Sequence, residues 1–154
     1  MSVLHPLLYA EDEEDDVFFV KRAFLDAGIG NPLVVVADCD SAVEYLSGTG
    51  RYSNRAEYPL PCLILLDLNL PGRSGFELLK WIRSQPSLCT LPVLILTSST
   101  QEADIHRAYM HGANAFLVKP GKPTELLGMV KALKEFWLVH NRSVKDCGKY
   151  AITT

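Results

Sequence analysis

What the sequence lacks narrows the field first. It has no CxxC pair: Cys39, Cys62, Cys89 and Cys147 are widely scattered. That spacing argues against a zinc site or a disulfide framework and predicts reduced thiols. No apolar stretch nears the ~18–20 residues of a membrane span. The opening residues Met1-Ser2-Val3-Leu4-His5-Pro6 carry no positive segment followed by a long apolar one, so no signal peptide is expected. Together these absences predict a cytoplasmic chain with no membrane contact. There is no long basic run, and the net charge is −3. Non-specific nucleic-acid binding is therefore disfavoured. Charged residues reach only 21% against 48% hydrophobic, which excludes a disordered chain. With 154 residues, the expectation is one domain with a sizeable core.

What is present is a set of short apolar runs that each stop at polar chemistry. Cys62-Leu63-Ile64-Leu65-Leu66 ends at Asp67, followed by Leu68-Asn69-Leu70-Pro71-Gly72. A continuous apolar run of this length reads as a strand buried on both faces, as in parallel sheets. Leu7-Leu8-Tyr9-Ala10 stops at Glu11 and Asp12, residues 91–96 stop at Thr97 and Ser98, and Ala115-Phe116-Leu117-Val118 stops at Lys119-Pro120. Residues 33–37 make a further strand with no polar end of note.

Helical periodicity fills the gaps. Val17, Val20, Phe24 and Ala27 recur at helical spacing before Gly28, and the acids of residues 13–16 suit a helix N-terminus. A short helix carries Ala42, Val43, Tyr45 and Leu46, with caps offered by residues 38–41. Another spans residues 74–84 with Phe76, Leu78, Leu79 and Ile82 inward. A fourth covers about 101–111. The last begins at Pro123, where proline suits the first turn, and carries Leu126, Val130, Leu133 and Trp137. Residues 48–61, with two glycines and two prolines, are long for a connection. They read as a surface insertion, either a passive loop or a partner contact. Residues 139–154 read as a C-terminal tail or a frayed helix extension after a domain of residues 5–138.

Five alternations of strand and helix predict an α/β fold: a doubly wound, five-stranded parallel sheet with helices on both faces. The second strand brings nothing polar to the rim and is the natural edge. That fits the flavodoxin-like order 2-1-3-4-5, with a crevice between strands one and three.

Glu11, Asp12 and Asp67 then meet at one rim. Bare like charges ~4 Å apart repel by about 4 kcal/mol at an effective dielectric of 20, so a counter-ion is needed. A hard, oxygen-seeking cation fits, and Mg²⁺ is the expected occupant, with Mn²⁺ as the alternative. A carboxylate beside such an ion can attack phosphorus, and Asp67 is the candidate. The Thr97 hydroxyl, the Lys119 ammonium and the backbone N–H groups after Asp67 are the available donors to a phosphoryl group.

Glu11-Asp12, Asp67-Leu68-Asn69-Leu70-Pro71-Gly72-Arg73-Ser74-Gly75, Thr97-Ser98 and Phe116-Leu117-Val118-Lys119-Pro120 occur in that order, each after a strand. The pattern resembles the receiver domain of two-component response regulators over about residues 5–138. The resemblance implies that Asp67 accepts a phosphoryl group from a sensor histidine kinase or a phosphotransfer protein. It implies a metal held by Asp12, Asp67 and the backbone carbonyl of Asn69, with Glu11 acting through water. It implies Thr97 and Lys119 on the phosphoryl oxygens, and Thr97 with Phe116 as a switch. Such a chain regulates rather than turns over substrate. The long insertion and the absence of an evident output domain resemble the small regulators that partner bacterial phytochrome-type kinases. That finer resemblance implies a cytosolic single-domain protein and admits a homodimer through the last strand and helix.

Rival functions fare worse. A haloacid-dehalogenase-like phosphohydrolase needs an acid two residues after its nucleophile, and this chain has Asn69 there. A flavodoxin-like electron carrier needs a phosphate-binding loop after strand one, where this chain places Glu11-Asp12-Glu13-Glu14-Asp15-Asp16. Within the receiver reading, an adaptor that binds a target and a phosphate shuttle or sink both stay open.

Overall fold

Strand residues sort alternately between two hydrophobic layers, and that sorting builds the molecule. The computed structural model describes residues 4–144; the expected tail lies outside them from residue 145 onward. Five strands form one parallel sheet: β1 (Leu7–Ala10), β2 (Leu33–Val36), β3 (Leu63–Leu66), β4 (Val93–Thr97) and β5 (Ala115–Val118). Their order is β2-β1-β3-β4-β5, as the sequence predicts. Leu7 pairs with both Leu33 and Leu63, and Leu66 with Ile95.

On one face Leu8, Ile64, Leu66, Val93 and Ile95 pack on α2 (Cys39–Ser47), α3 (Gly75–Ser84) and Ala108 of α4 (Glu102–Met110). On the other face Leu7, Tyr9, Leu63, Leu65, Leu94 and Leu96 pack on α1 (Glu14–Asp26) and α5 (Pro123–Leu133). Each central strand is thus buried on both sides, which is why its sequence is a continuous apolar run and not an alternation. The helices also end where expected. The Asp38 side chain accepts a hydrogen bond from the Ser41 N–H at 2.7 Å and caps α2.

Two details depart from the sequence reading. α5 continues into a π-helical stretch, Lys134–His140. Its wider turn advances the buried position from Leu133 to Leu138, five residues on, so Trp137 is left half-buried instead of inward. Residues 48–61 are not slack. Tyr45, Tyr52 and Tyr58 stack edge-to-face with centroids 4.9–6.3 Å apart, and Tyr45 Oη donates to the Pro59 carbonyl at 2.8 Å. Among the described residues Cys39 and Cys89 are free thiols, and Cys147 lies outside them.

Candidate phosphoryl-acceptor site

The ends of β1, β3, β4 and β5 converge at the carboxyl edge of the sheet. The ladder places them: the Asp67 N–H donates to Ala10 O at 3.1 Å, the Glu11 N–H to Val36 O at 2.9 Å, and the Lys119 N–H to Thr97 O at 2.8 Å. Gly75 starts α3 directly under this edge. A Cβ there would stand 2.2 Å from the Asp67 carbonyl oxygen, so only glycine lets the helix approach.

At the centre lies the Lys119 ammonium. It donates to Glu11 Oε1 at 2.5 Å, Asp67 Oδ2 at 2.7 Å and Asp16 Oδ2 at 2.8 Å. An ammonium has three N–H donors, and here all three are committed to carboxyl oxygens. The Glu11 side chain is wholly buried and that of Asp67 nearly so, while that of Asp16 is 40% exposed. The remaining oxygen of Asp67, Oδ1, accepts the Asn69 N–H at 3.1 Å.

These surroundings split the acids. Burial pushes the Glu11 carboxyl up to about 9; the Asp67 and Asp16 carboxylates push the same way, and Lys119 opposes them. Burial also works against ionised Asp67. Hydrogen bonds with Glu11, Lys119 and the Asn69 N–H outweigh it and hold Asp67 below the ordinary carboxylate value. Asp16 is held low in the same manner, its burial cost outweighed by Lys119. Lys119 is raised: burial would lower it, but three acidic partners prevail. The result is an ionised, gripped Asp67 beside a carboxyl that prefers its proton.

Glu11, Asp67 and Lys119 are therefore brought together, and Thr97 ends β4 beside them, its backbone carbonyl accepting the Lys119 N–H. Thr97 is fully buried and shares the α3 face of the sheet with Ile95. Phe116 pairs with Ile95 in register, is half-buried, and packs on that same face. Asp12 stays exposed and joins none of the Lys119 ion pairs, and Asn69 is exposed beside Asp67. Two participants were not foreseen. Asp16 sits in the first turn of α1, where an acid already has the ordinary reason of the helix dipole. Tyr9 is fully buried beneath the site, and its Oη has no hydrogen-bond partner among the described residues. Its hydroxyl pKa is raised, by burial first and then by Glu11.

The residues fit a hard cation. Buried Glu11 Oε2 has no hydrogen-bond partner among the described residues. One ammonium faces three carboxyl groups, and every free ligand is oxygen, the donor set of Mg²⁺ or Mn²⁺. Among the described residues no three Asp, Glu, His or Cys side chains form a ready cage. Mg²⁺ commonly keeps several waters and needs only one or two carboxylates.

Known proteins are similar to this chain in sequence and fold. The model of the response regulator receiver domain matches residues 7–131. Response regulator Rcp1 of Synechocystis is 36% identical over 132 residues, covering 86% of this chain and 88% of Rcp1. A crystal structure of the Mn²⁺-bound form of Rcp1 superposes with a TM-score of 0.82 at 33% identity, over 92% of this chain and 99% of that one. The phosphorylated cyanobacterial phytochrome response regulator RcpA gives a TM-score of 0.86 at 33% identity, over 93% of this chain and 100% of its own. RPA3017, a response regulator in red light signalling of R. palustris, gives 0.88 at 30% identity, over 92% and 99%. With the receiver model matched across all five strands and the ion-paired acidic rim in place, this chain belongs to the response regulator receiver-domain family of two-component signalling.

Proposed function

We propose that Asp67 is the phosphoacceptor of this regulator, receiving its phosphoryl group from a sensor histidine kinase or a phosphotransfer protein. One observation carries the reading. The Asp67 carboxylate is 3% exposed yet held ionised, at the edge of a parallel sheet, with donors on both oxygens. A buried ionised carboxylate is a nucleophile kept from water. Attack by Asp67 forms a P–O bond as the P–N bond of a phosphohistidine breaks, and the electron pair leaves with the imidazole.

Asp12, Asp67 and the Asn69 carbonyl would hold Mg²⁺ or Mn²⁺, with Glu11 reaching it through water. Such an ion supplies the positive charge that draws in phosphoryl oxygens and offsets the charge developing in transfer. Lys119 and the Thr97 hydroxyl grip the phosphoryl oxygens. As Thr97 turns toward them, Phe116 follows into the vacated space on the same face, and β4, α4, β5 and α5 carry the change outward. The chain regulates and is not a turnover enzyme; phosphohydrolase chemistry lacks its acid at Asn69.

The donor reaches the site past α1. Phe18 and Phe19 are 61% and 44% exposed there, two and three residues after Asp16, and Phe19 lines the groove of Lys119, Pro120 and Pro123. Exposed aromatics next to a reactive rim suit a helical protein donor. The likeness to RcpA and RPA3017 points to a phytochrome-type kinase, in the cytoplasm, as the donor's class. No described helix is long and apolar enough to cross a membrane. Leu117, Met129, Phe136 and Trp137 leave an apolar groove on the β5 edge, which supports a homodimer there. Residues 5–138 would form the receiver, and residues 139–154 a C-terminal tail or helix extension.

The test is Asp67→Asn. With acetyl phosphate and Mg²⁺, the parent chain gains one phosphoryl group by intact mass and the variant gains none, with an unchanged melting curve. Undiminished labelling of the variant overturns the assignment.

A further inference from the structure

Lys119 is oversubscribed before any phosphoryl group arrives. Its three N–H donors are spent on Glu11, Asp67 and Asp16. A phosphoryl group on Asp67 adds oxygens that need donors, so Lys119 must let a present partner go. Asp67 carries the group and stays. Glu11 has a fully buried side chain, and stripping its partner would leave a second unpaired oxygen beside the orphaned Oε2. The Asp16 carboxylate is 40% exposed and regains water at little cost.

We propose that Asp16 is a positioning residue that parks the Lys119 ammonium on α1 and releases it on phosphorylation, so that the Asp16–Lys119 ion pair sets how strongly the phosphorylated state is favoured. This rests on Asp67 being the phosphoacceptor. A partner that binds Lys119 in the unmodified state alone shifts the equilibrium against the modified one, by its differential affinity. Removing it frees one donor for the phosphoryl oxygens. Because Asp16 lies on the helix that also carries Phe18 and Phe19, release of Lys119 also loosens a tie between α1 and β5.

The experiment measures affinity for beryllofluoride, a phosphoryl mimic, with saturating Mg²⁺ by fluorine NMR. Asp16→Asn is expected to tighten binding about threefold, the scale of a half-exposed ion pair, and Asp16→Glu to restore the parent affinity. The same Asp16→Asn change made in a Lys119→Gln chain is expected to have no effect. If binding in that background is too weak to measure, the acetyl phosphate labelling rate completes the same cycle. Equal tightening in both backgrounds assigns the effect to plain charge repulsion and overturns the proposal. Unchanged or weakened binding in Asp16→Asn overturns it too. A parent chain that takes up no beryllofluoride overturns the phosphoacceptor reading itself, and this proposal with it.

Discussion

Two half-buried cations, Lys119 and Arg83, stand at opposite ends of the sheet, and their company differs. Lys119 sits at the carboxyl edge among three carboxyl groups. Arg83 sits at the amino edge among neutral acceptors. Its Nε donates to Gly112 O at 2.9 Å, Nη1 to Leu91 O at 2.8 Å and Cys89 O at 3.0 Å, and Nη2 to Asn114 Oδ1 at 2.8 Å. Asn114 Oδ1 also takes the Val93 N–H at 2.8 Å, which pins the start of β4. Burial lowers the Arg83 pKa, and among the described residues no carboxylate pairs with it. The fork of a guanidinium suits several fixed carbonyls, while a compact ammonium suits shifting charged partners. Arg83 closes a finished network that ties α3 to the connections on either side. The Lys119 network is left short of positive charge and long on oxygen, an imbalance that the proposed metal ion would offset.

The largest effects should separate these ends cleanly. Arg83→Met strips donors from four acceptors, two of them in part-buried bonds, and is expected to cost about 3 kcal/mol of stability in urea titrations. Labelling of its folded fraction at Asp67 should stay as in the parent. Lys119→Met should do the reverse. Labelling by acetyl phosphate falls on the order of tenfold to a hundredfold, while stability with Mg²⁺ present moves little, because the ion balances the acids that Lys119 leaves. Equal stability losses in both variants would erase the distinction.

A second test concerns pH. The folded chain keeps a proton on Glu11 up to about 9, whereas the unfolded value is near 4.5. From pH 4.5 to about 9 the unfolded state is therefore the one that loses this proton, and stability falls as pH rises through that window. Asp16 and Asp67 act oppositely: both are held low, so their contribution is fully present above the ordinary carboxylate value and is lost as pH falls from there through their lowered folded values. Glu11→Gln should remove the downward limb and stabilise the metal-free protein by ~2 kcal/mol at pH 7. Mg²⁺ should shrink the gap by favouring the ionised parent. An unchanged slope between pH 5 and 8 in the variant would show that Glu11 is not the protonated member of the cluster.

The two ends also differ in how well the sequence announces them. Asp67 and Lys119 are legible because each interrupts an apolar run at the same edge, and the central strands are legible because burial on both faces removes any polar alternation. β2 is legible as an edge because the acid that follows it, Asp38, fits the N-cap of α2 and so leaves the rim no polar group from that strand. The Arg83 network is invisible in sequence: four of its five bonds involve main-chain groups, which every residue type carries. Asp16 is hidden for another reason. In a run of acids at a helix start, the one whose side chain turns back over the rim is set by the helical phase, and a shift of one residue would select a different acid. The Leu133-to-Leu138 step needs the wider turn that no residue in Lys134–His140 signals. The tyrosine cluster depends on Tyr45 reaching across residues 48–61, and loop composition does not encode that reach.

The smallest stability effect should come with a clear functional one. Phe18 and Phe19 lie on α1 at the Lys119 end, with rings 5.4 Å apart and edge-to-face. Both are exposed enough that replacing them with alanine should change stability by no more than ~0.5 kcal/mol. If that aromatic pair receives the histidine-bearing donor, the double variant should accept phosphoryl groups from acetyl phosphate at the parent rate. Transfer from a phosphorylated phytochrome-type kinase should slow about tenfold, the loss of one modest interface anchor. Equal rates from both donors would remove α1 as the docking face, and the contrast between the ends would then rest on charge alone. Loss from both donors would instead mean that the aromatics support Asp16 and Lys119 from behind, since a small donor needs no protein surface.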